Sequence, residues 1–466
     1  MLDCKTINRR DFIRLGAGAL AAGSVLGAPV AARQKKPNIV IFFTDDQGIG
    51  DISAFESEDF QTPNMDRLAQ SGVRFTNWYS SSPVCSPSRA SLLTGRYPQR
   101  TGVSRILQAG RSSPGLFGDE RTLATILREQ GYRTGAFGKW HLGSSPESRP
   151  NNQGFDDWYG FLAGCVDYYS HIMYWEMRGG SGASHDLWKN NEEVWENGTY
   201  LTDIITRESV RFIRQNKDQP FCLYVPYNSP HYPMHAPKKY FDRFKHLEWH
   251  RRHQAAMVAT VDDSMGAIMD ELESQGLTDN TVIFFQSDNG ATIERRCLHD
   301  GSGEHYHGGS NGDFRGWKGG LYEGGIRMPA VLSWPGHIQQ NTTCSEMGHA
   351  IDILPTLLGI AGIPIPDDRV IDGKDILPMA RGETTTPHEK IFWKIREQLA
   401  MREGRWKFIL SGRESFEKDE SLPPVFLADL EADPGETTNL AEAKPELVAQ
   451  LKETLLAWDK DVQSRR

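Results

Sequence analysis

Two seven-residue runs restrict the fold of this chain more than any other feature: Asn38-Ile39-Val40-Ile41-Phe42-Phe43-Thr44 and Thr281-Val282-Ile283-Phe284-Phe285-Gln286-Ser287. Neither alternates apolar with polar residues. Strands of that kind are buried on both faces, as in a parallel sheet covered by helices on either side. Pro220 to Tyr227 is a third such run, and Tyr132 to Phe137 a shorter fourth. Helical patterns fall between them. Thr62 to Ala69 opens with a capping threonine and a proline, and Thr122 to Arg128 stops before Gly131. This alternation predicts an α/β domain with a mixed, mostly parallel sheet flanked by helices.

Each run ends in polar residues. Asp45-Asp46 follows the first, Asp288-Asn289 the second, Asn228-Ser229-Pro230-His231 the third and Gly138-Lys139-Trp140-His141 the fourth. Ligands of open α/β sheets bind beyond the carboxyl ends of strands. One Asp or Asn there is most often a turn former, but four polar ends together predict a single polar site. Asp45, Asp46, Asp288 and Asn289 offer oxygen donors only, which suits a hard cation, calcium or magnesium, and not zinc. Carboxylates brought together repel one another, and a divalent ion relieves that repulsion.

A second motif is Cys85-Ser86-Pro87-Ser88-Arg89, continuing into Ala90-Ser91-Leu92-Leu93-Thr94-Gly95-Arg96. Ser86 is read as an N-cap, with Pro87 in the first helical turn, so Cys85 lies just before a helix whose N–H groups and dipole favour an anion. Arg89, about one turn on, adds a rigid fork of donors. A cysteine-dependent phosphatase would want arginine six residues after the cysteine, where this chain has Ser91.

Cys-x-Pro-x-Arg followed by Leu-Thr-Gly-Arg resembles the signature of the type I sulfatases, within the alkaline phosphatase superfamily. The similarity runs from about Pro37 to Pro335 and is strongest toward arylsulfatase A and N-acetylgalactosamine-6-sulfatase relatives. It implies that Cys85 is oxidised to formylglycine (3-oxoalanine) by a formylglycine-generating enzyme, and that its hydrated aldehyde is the nucleophile. It implies a metal, usually calcium, held by Asp45, Asp46, Asp288, Asn289 and the modified Cys85. Lys139 and His141 match the Gly-Lys-Trp-His-Leu-Gly segment of the family, His231 its Pro-His segment, and Lys318 its Gly-Trp-Lys-Gly segment. The implied roles are Arg89, Lys139 and Lys318 on the sulfate, His231 with Lys318 on the departing alcohol, and His141 as a base. The implied substrate is a sulfated carbohydrate. Two rivals are a phosphate or phosphonate monoester hydrolase of the same superfamily and a non-catalytic glycan-binding relative. An intact set of catalytic residues argues against the second.

The N-terminus reads as a removable leader over residues 1–32. Arg9-Arg10 followed by Phe12 resembles the twin-arginine export signal, and a short Gly/Ala-rich stretch leads to Ala31-Ala32. That implies a prokaryotic source, an export translocase as partner and a periplasmic or secreted enzyme with no membrane span after cleavage. The net charge is −9, and loss of the leader's four basic and two acidic residues takes it to −11, which argues against nucleic acid as a partner. Cys165, Cys222, Cys297 and Cys344 admit two disulfides or four buried thiols. The catalytic domain is expected over 33–375. Residues 376–466 are expected to form a smaller C-terminal subdomain, an antiparallel sheet with a helix over Pro445 to Trp458. The aromatic stretch from Asp156 to Trp195 reads as packing or as a sugar wall, and His299, His305 and His307 as a rim near Lys318.

Overall fold

All four apolar runs become strands of one ten-stranded sheet. The computed structural model describes residues 36–463 apart from 56, 109–111, 175–182 and 296–303. The leader over 1–32, Cys4, Cys297 and His299 lie outside the described residues. In chain order the strands are β1 (Asn38–Thr44), β2 (Val73–Phe75), β3 (Arg133–Lys139), β4 (Asp157–Phe161), β5 (Trp188–Lys189), β6 (Glu192–Glu193), β7 (Phe221–Pro226), β8 (Thr281–Ser287), β9 (Ala330–Ser333) and β10 (Thr342–Cys344). Across the sheet they run β10-β2-β9-β8-β1-β7-β3-β4-β5-β6. The central five, β8-β1-β7-β3-β4, are parallel. Antiparallel strands join at both flanks.

Alternate residues of β1 enter two different cores, as a sheet covered on both faces requires. Val40 and Phe42 pack with α4 (Leu201–Asn216) and with the long helix α5 (Trp249–Ser274). Ile39, Ile41 and Phe43 pack on the other side with α2 (Cys85–Thr94), α3 (Leu123–Glu129) and α6 (Ile353–Ile360). Helix α1 (Pro63–Gln70) is locked to α5 by Asp262, which accepts from the backbone N–H groups of Asn64 and Met65 at 3.0 and 2.8 Å. Strand β3 runs two residues beyond the expected Phe137, so Gly138 and Lys139 lie within the sheet. A Cβ at Gly138 would stand 2.0 Å from the Pro226 carbonyl oxygen, so the close β3–β7 approach requires glycine there.

Near the C-terminus β11 (Lys390–Ile395), β12 (Gln398–Glu403), β13 (Trp406–Leu410) and β14 (Val425–Asp429) form an antiparallel four-stranded meander. Met401, Phe408 and Leu427 on one face meet Leu451 and Leu455 of α7 (Pro445–Val462). Ile391, Trp393 and Ile409 on the other meet Tyr79 and, from the segment that follows Lys318, Leu321 and Ile326. Cys222 and Cys344 are buried thiols, each without a disulfide. Among the described residues, no helix is long and apolar enough to cross a membrane.

Candidate active site

Strands β1 and β8 lie side by side in parallel, with Thr44 opposite Ser287. Asp45-Asp46 and Asp288-Asn289 therefore leave the sheet together. The Asp46 N–H donates to Asp288 Oδ1 at 3.1 Å, and Asn289 Nδ2 donates to Asp46 Oδ1 at 2.7 Å. Asp46 sits at φ 64°, a left-handed conformation that aspartate adopts more readily than most residues.

Helix α2 delivers Cys85 and Arg89 to the same place. Val84 is its N-cap and Cys85 its first residue, so the cysteine lies inside the helix and not just ahead of it. Ser86 does not cap it; its Oγ accepts from the Leu107 N–H at 3.1 Å. Pro87 falls in the first turn, as its lost N–H permits.

Three buried ion pairs surround Cys85. Lys139 Nζ lies 2.6 Å from Asp45 Oδ2, Lys318 Nζ 2.8 Å from Asp46 Oδ2, and Arg89 Nη2 3.0 Å from Asp288 Oδ2. Arg89 also stands 3.5 Å from Asp45 Oδ1 and reaches the Lys139 carbonyl at 3.3 Å, so its guanidinium is enclosed and not open at the helix end. Three cations balance three carboxylates, as buried charge demands. Burial pushes Asp45 and Asp46 above the usual carboxylate range, against Lys139 and Lys318. Burial also works to raise Asp288, but Arg89 and Lys139 outweigh it and hold that carboxyl below the usual range. Burial works to lower Lys139 and Lys318, and Asp45 and Asp46 reverse it. Burial pushes the Cys85 thiol far up, which leaves it protonated and a poor nucleophile.

Two imidazoles flank this cluster. His141 follows the end of β3 at φ 54°, and its Nε2 lies 3.0 Å from the Leu107 carbonyl oxygen. That oxygen only accepts, so Nε2 carries the proton and Nδ1, buried without a hydrogen-bond partner among the described residues, presents a lone pair. Burial, then Lys139, hold its pKa well below the usual histidine value. His231 mirrors this: Nδ1 faces the Tyr232 carbonyl at 2.8 Å, and Nε2 stands 3.8 Å from Asp46 Oδ2.

Ligand atoms of Asp45, Asp46, Cys85 and His231 all lie within 4.8 Å of one another. Among the described residues Asp45 Oδ1 and Asn289 Oδ1 are buried with no hydrogen-bond partner, Asp45 Oδ1 having only the ion pair with Arg89 at 3.5 Å. Orphaned buried oxygens are uncommon in folded proteins, and a cation is one remedy. Four oxygen-bearing side chains, with two acceptor atoms that carry no hydrogen bond, fit a hard divalent ion. Among the described residues His305 and His307 belong to no such cluster. His305 Nδ1 instead meets the Ile293 carbonyl at 3.1 Å, and Tyr306 between them is buried with its hydroxyl on Gln254.

The structure thus brings together Asp45, Asp46, Cys85, Arg89, Lys139, His141, His231, Asp288, Asn289 and Lys318. Three participants carried no recognisable signal in the sequence. Tyr168, inside the aromatic stretch, donates its hydroxyl to the Asn228 and His231 carbonyls at 2.7 and 2.9 Å. Glu294 Oε2 stands 3.5 Å from Lys318 Nζ. Gly164 abuts the His141 ring so closely that a Cβ there would lie 2.7 Å from Cε1.

A mostly parallel sheet with a carboxylate–cation cluster at its strand ends defines an alkaline-phosphatase-like hydrolase. The chain belongs to the sulfatase family, whose model matches residues 37–363, and it is a sulfuric ester hydrolase. Residues 314–461 match a second model, the C-terminal region of N-sulphoglucosamine sulphohydrolase. Rattus norvegicus N-acetylgalactosamine-6-sulfatase is 35% identical over 82% of this chain and 73% of its own length. Human arylsulfatase A is 32% identical over 94% of this chain and 89% of its own. The solved structure of Ps i-CgsB superposes with a TM-score of 0.81 at 32% identity, covering 92% of this chain and 94% of that one. The same protein is known in complex with k-i-k-neocarrahexaose.

Proposed function

We propose that the protein is an exported sulfatase that hydrolyses a sulfate monoester on a sulfated carbohydrate, with Cys85 converted to formylglycine. The observation that supports this best is the enclosure of Cys85 by three buried cation–carboxylate pairs. A thiol so placed is a poor nucleophile, whereas formylglycine at position 85 would supply an oxygen nucleophile there. Asp45, Asp46, Asp288, Asn289 and residue 85 would hold calcium, in preference to magnesium, which would add fixed positive charge toward the sulfonyl oxygens.

Lys139, Lys318 and Arg89 bind those oxygens and stabilise their charge in the transition state. His231 keeps its Nδ1 proton on the Tyr232 carbonyl and gives a proton from Nε2 to the oxygen of the departing alcohol. His141 keeps its Nε2 proton on Leu107 and takes a proton at Nδ1. The catalytic domain is assigned to 33–375 and a C-terminal subdomain to 376–466. The leader over 1–32 directs twin-arginine export in a prokaryote, to the periplasm or medium. A formylglycine-generating enzyme acts on Cys85 before the export translocase carries the folded protein.

The test is sulfate release from a panel of sulfated mono- and oligosaccharides, after coexpression with a formylglycine-generating enzyme. Cys85→Ala is the blank, and matched phosphate esters form a parallel panel. Release of sulfate from one sugar class, absent in the blank, is expected. Faster release of phosphate than of sulfate would overturn the reading.

A further inference from the structure

We infer that the substrate carries a second anionic group, which docks beside the reacting sulfate on Arg105 and Arg396; this rests on the sulfatase reading above. A cavity of about 550 Å³ opens next to the catalytic cluster. It is bounded by Val84, which precedes Cys85, by Gly319, which follows Lys318, and by Leu107, whose carbonyl holds His141. Its volume lies in the range of small-ligand pockets and exceeds what one sulfate needs.

Among the described residues three guanidinium groups line this cavity: Arg105, Arg396 and Arg413. Arg413 is committed, with Nη1 3.4 Å from the Phe416 carbonyl and Nη2 on Glu397. Arg105 and Arg396 make no hydrogen bond or ion pair with any described residue; Arg396 senses Glu397 only through the field. Two uncommitted arginines on a chain of net charge −9 are a local reversal of sign.

The position of Arg396 strengthens the case. It occupies the two-residue turn between β11 and β12 at φ 52°, where glycine, asparagine or aspartate is the usual occupant. The turn geometry therefore disfavours arginine, and what recommends it there is a side chain directed to the cavity. A second cavity of about 230 Å³, also lined by Phe416, carries Glu294 and Glu417, each paired with a cation, Lys318 and Arg295 respectively. The charges of that cavity are thus matched, whereas Arg105 and Arg396 have no carboxylate partner among the described residues, so an additional anion belongs on their side. A guanidinium recognises a sulfate ester and a uronate carboxylate by the same forked geometry, so either group meets the requirement.

The experiment is calorimetric binding to Cys85→Ala protein, which removes turnover from the readout. The ligands are a monosulfated N-acetylgalactosamine, its disulfated counterpart, and a monosulfated disaccharide bearing a uronate. With both arginines present, one of the doubly anionic ligands should bind about tenfold or more tightly than the monosulfated sugar. In Arg105→Gln/Arg396→Gln that gain should fall below threefold. A gain for the disulfated sugar alone identifies the second group as sulfate, and a gain for the disaccharide alone identifies it as carboxylate. Equal gains with and without the arginines, or no gain and no binding, would overturn the inference. Release of sulfate from p-nitrophenyl sulfate by the matured wild-type enzyme tests the parent reading separately, because that ester carries no second anion.

Discussion

Replacing Lys407 by methionine should destabilise the protein by about 3–5 kcal/mol at pH 8, the usual loss when one member of a buried charge network is removed. Lys407 lies on β13 with its side chain fully buried, 2.8 Å from Glu323 Oε1 and 3.5 Å from Glu436 Oε1. Both carboxylates are likewise buried. At an effective dielectric of about 20, each contact near 4 Å is worth roughly 4 kcal/mol of Coulomb energy, and methionine recovers only the apolar stem. Glu323 keeps Arg327 and the Tyr79 hydroxyl as partners, whereas among the described residues the Glu436 carboxylate keeps only the Glu323 backbone N–H. Burial pushes Glu436 up to about 7, so at pH 8 it is ionised, and in the variant it must stay charged without its lysine or take up a proton. Below pH 6 it is already protonated, and the loss should shrink to about half, in line with a single buried carboxylate left unpaired. Urea unfolding at pH 8 and pH 5.5 reads both values. A loss under about 1 kcal/mol at pH 8, or an equal loss at both pH values, would refute the assignment of this triad as a charge network. Lys407→Met/Glu436→Gln should recover part of the loss at pH 8, because it removes the second carboxylate.

Four further outcomes are expected. Glu436→Gln alone should flatten the pH dependence of stability between about pH 4.5 and 7. In that window native Glu436 holds a proton that the unfolded chain has lost, so wild-type stability falls as pH rises, and an unchanged slope in urea titrations would count against it. Gly164→Ala should lower kcat roughly 10²-fold with little change in thermal midpoint, because the new Cβ displaces His141 from Leu107; full activity would show that the ring position is immaterial. Tyr168→Phe should cost about 1–2 kcal/mol and lower kcat more than it raises KM, since it frees the His231 carbonyl; a change in KM alone would speak against a positioning role. Calcium at about 100 times its dissociation constant should add roughly 2.7 kcal/mol to the stability of chelator-treated protein, and Asp45→Asn should abolish that gain in scanning calorimetry.

Much of the fold was legible because burial on both faces leaves an unmistakable composition. The expected strands over 38–44 and 281–287 coincide with β1 and β8. Strand β3 continues two residues past its apolar run, because Gly138 and Lys139, which carry no strand pattern, pair within the sheet opposite Gly160 and Phe161. At α2 the expected cap at Ser86 gave way to Val84, since the Ser86 hydroxyl is taken by a distant backbone N–H that no local pattern announces. Disulfide pairing was open in the sequence. In the structure Cys222 and Cys344 are thiols within one apolar core.

The sequence by itself determined which chemistry the chain can carry: oxygen donors at two strand ends, a cysteine at a helix start, and lysines and histidines in recognisable motifs. These are properties of residue type and short spacing, set by local covalent order. Only the tertiary structure decided how the charges pair. Lys139 belongs to Asp45 across 94 positions, Lys318 to Asp46 across 272 and Arg89 to Asp288 across 199. It also decided that Tyr168, Glu294 and Gly164 support the site, and that Arg105 and Arg396 line one cavity. Such contacts arise because parallel strands joined by long crossovers bring their carboxyl ends together, and separation along the chain places no limit on who meets there.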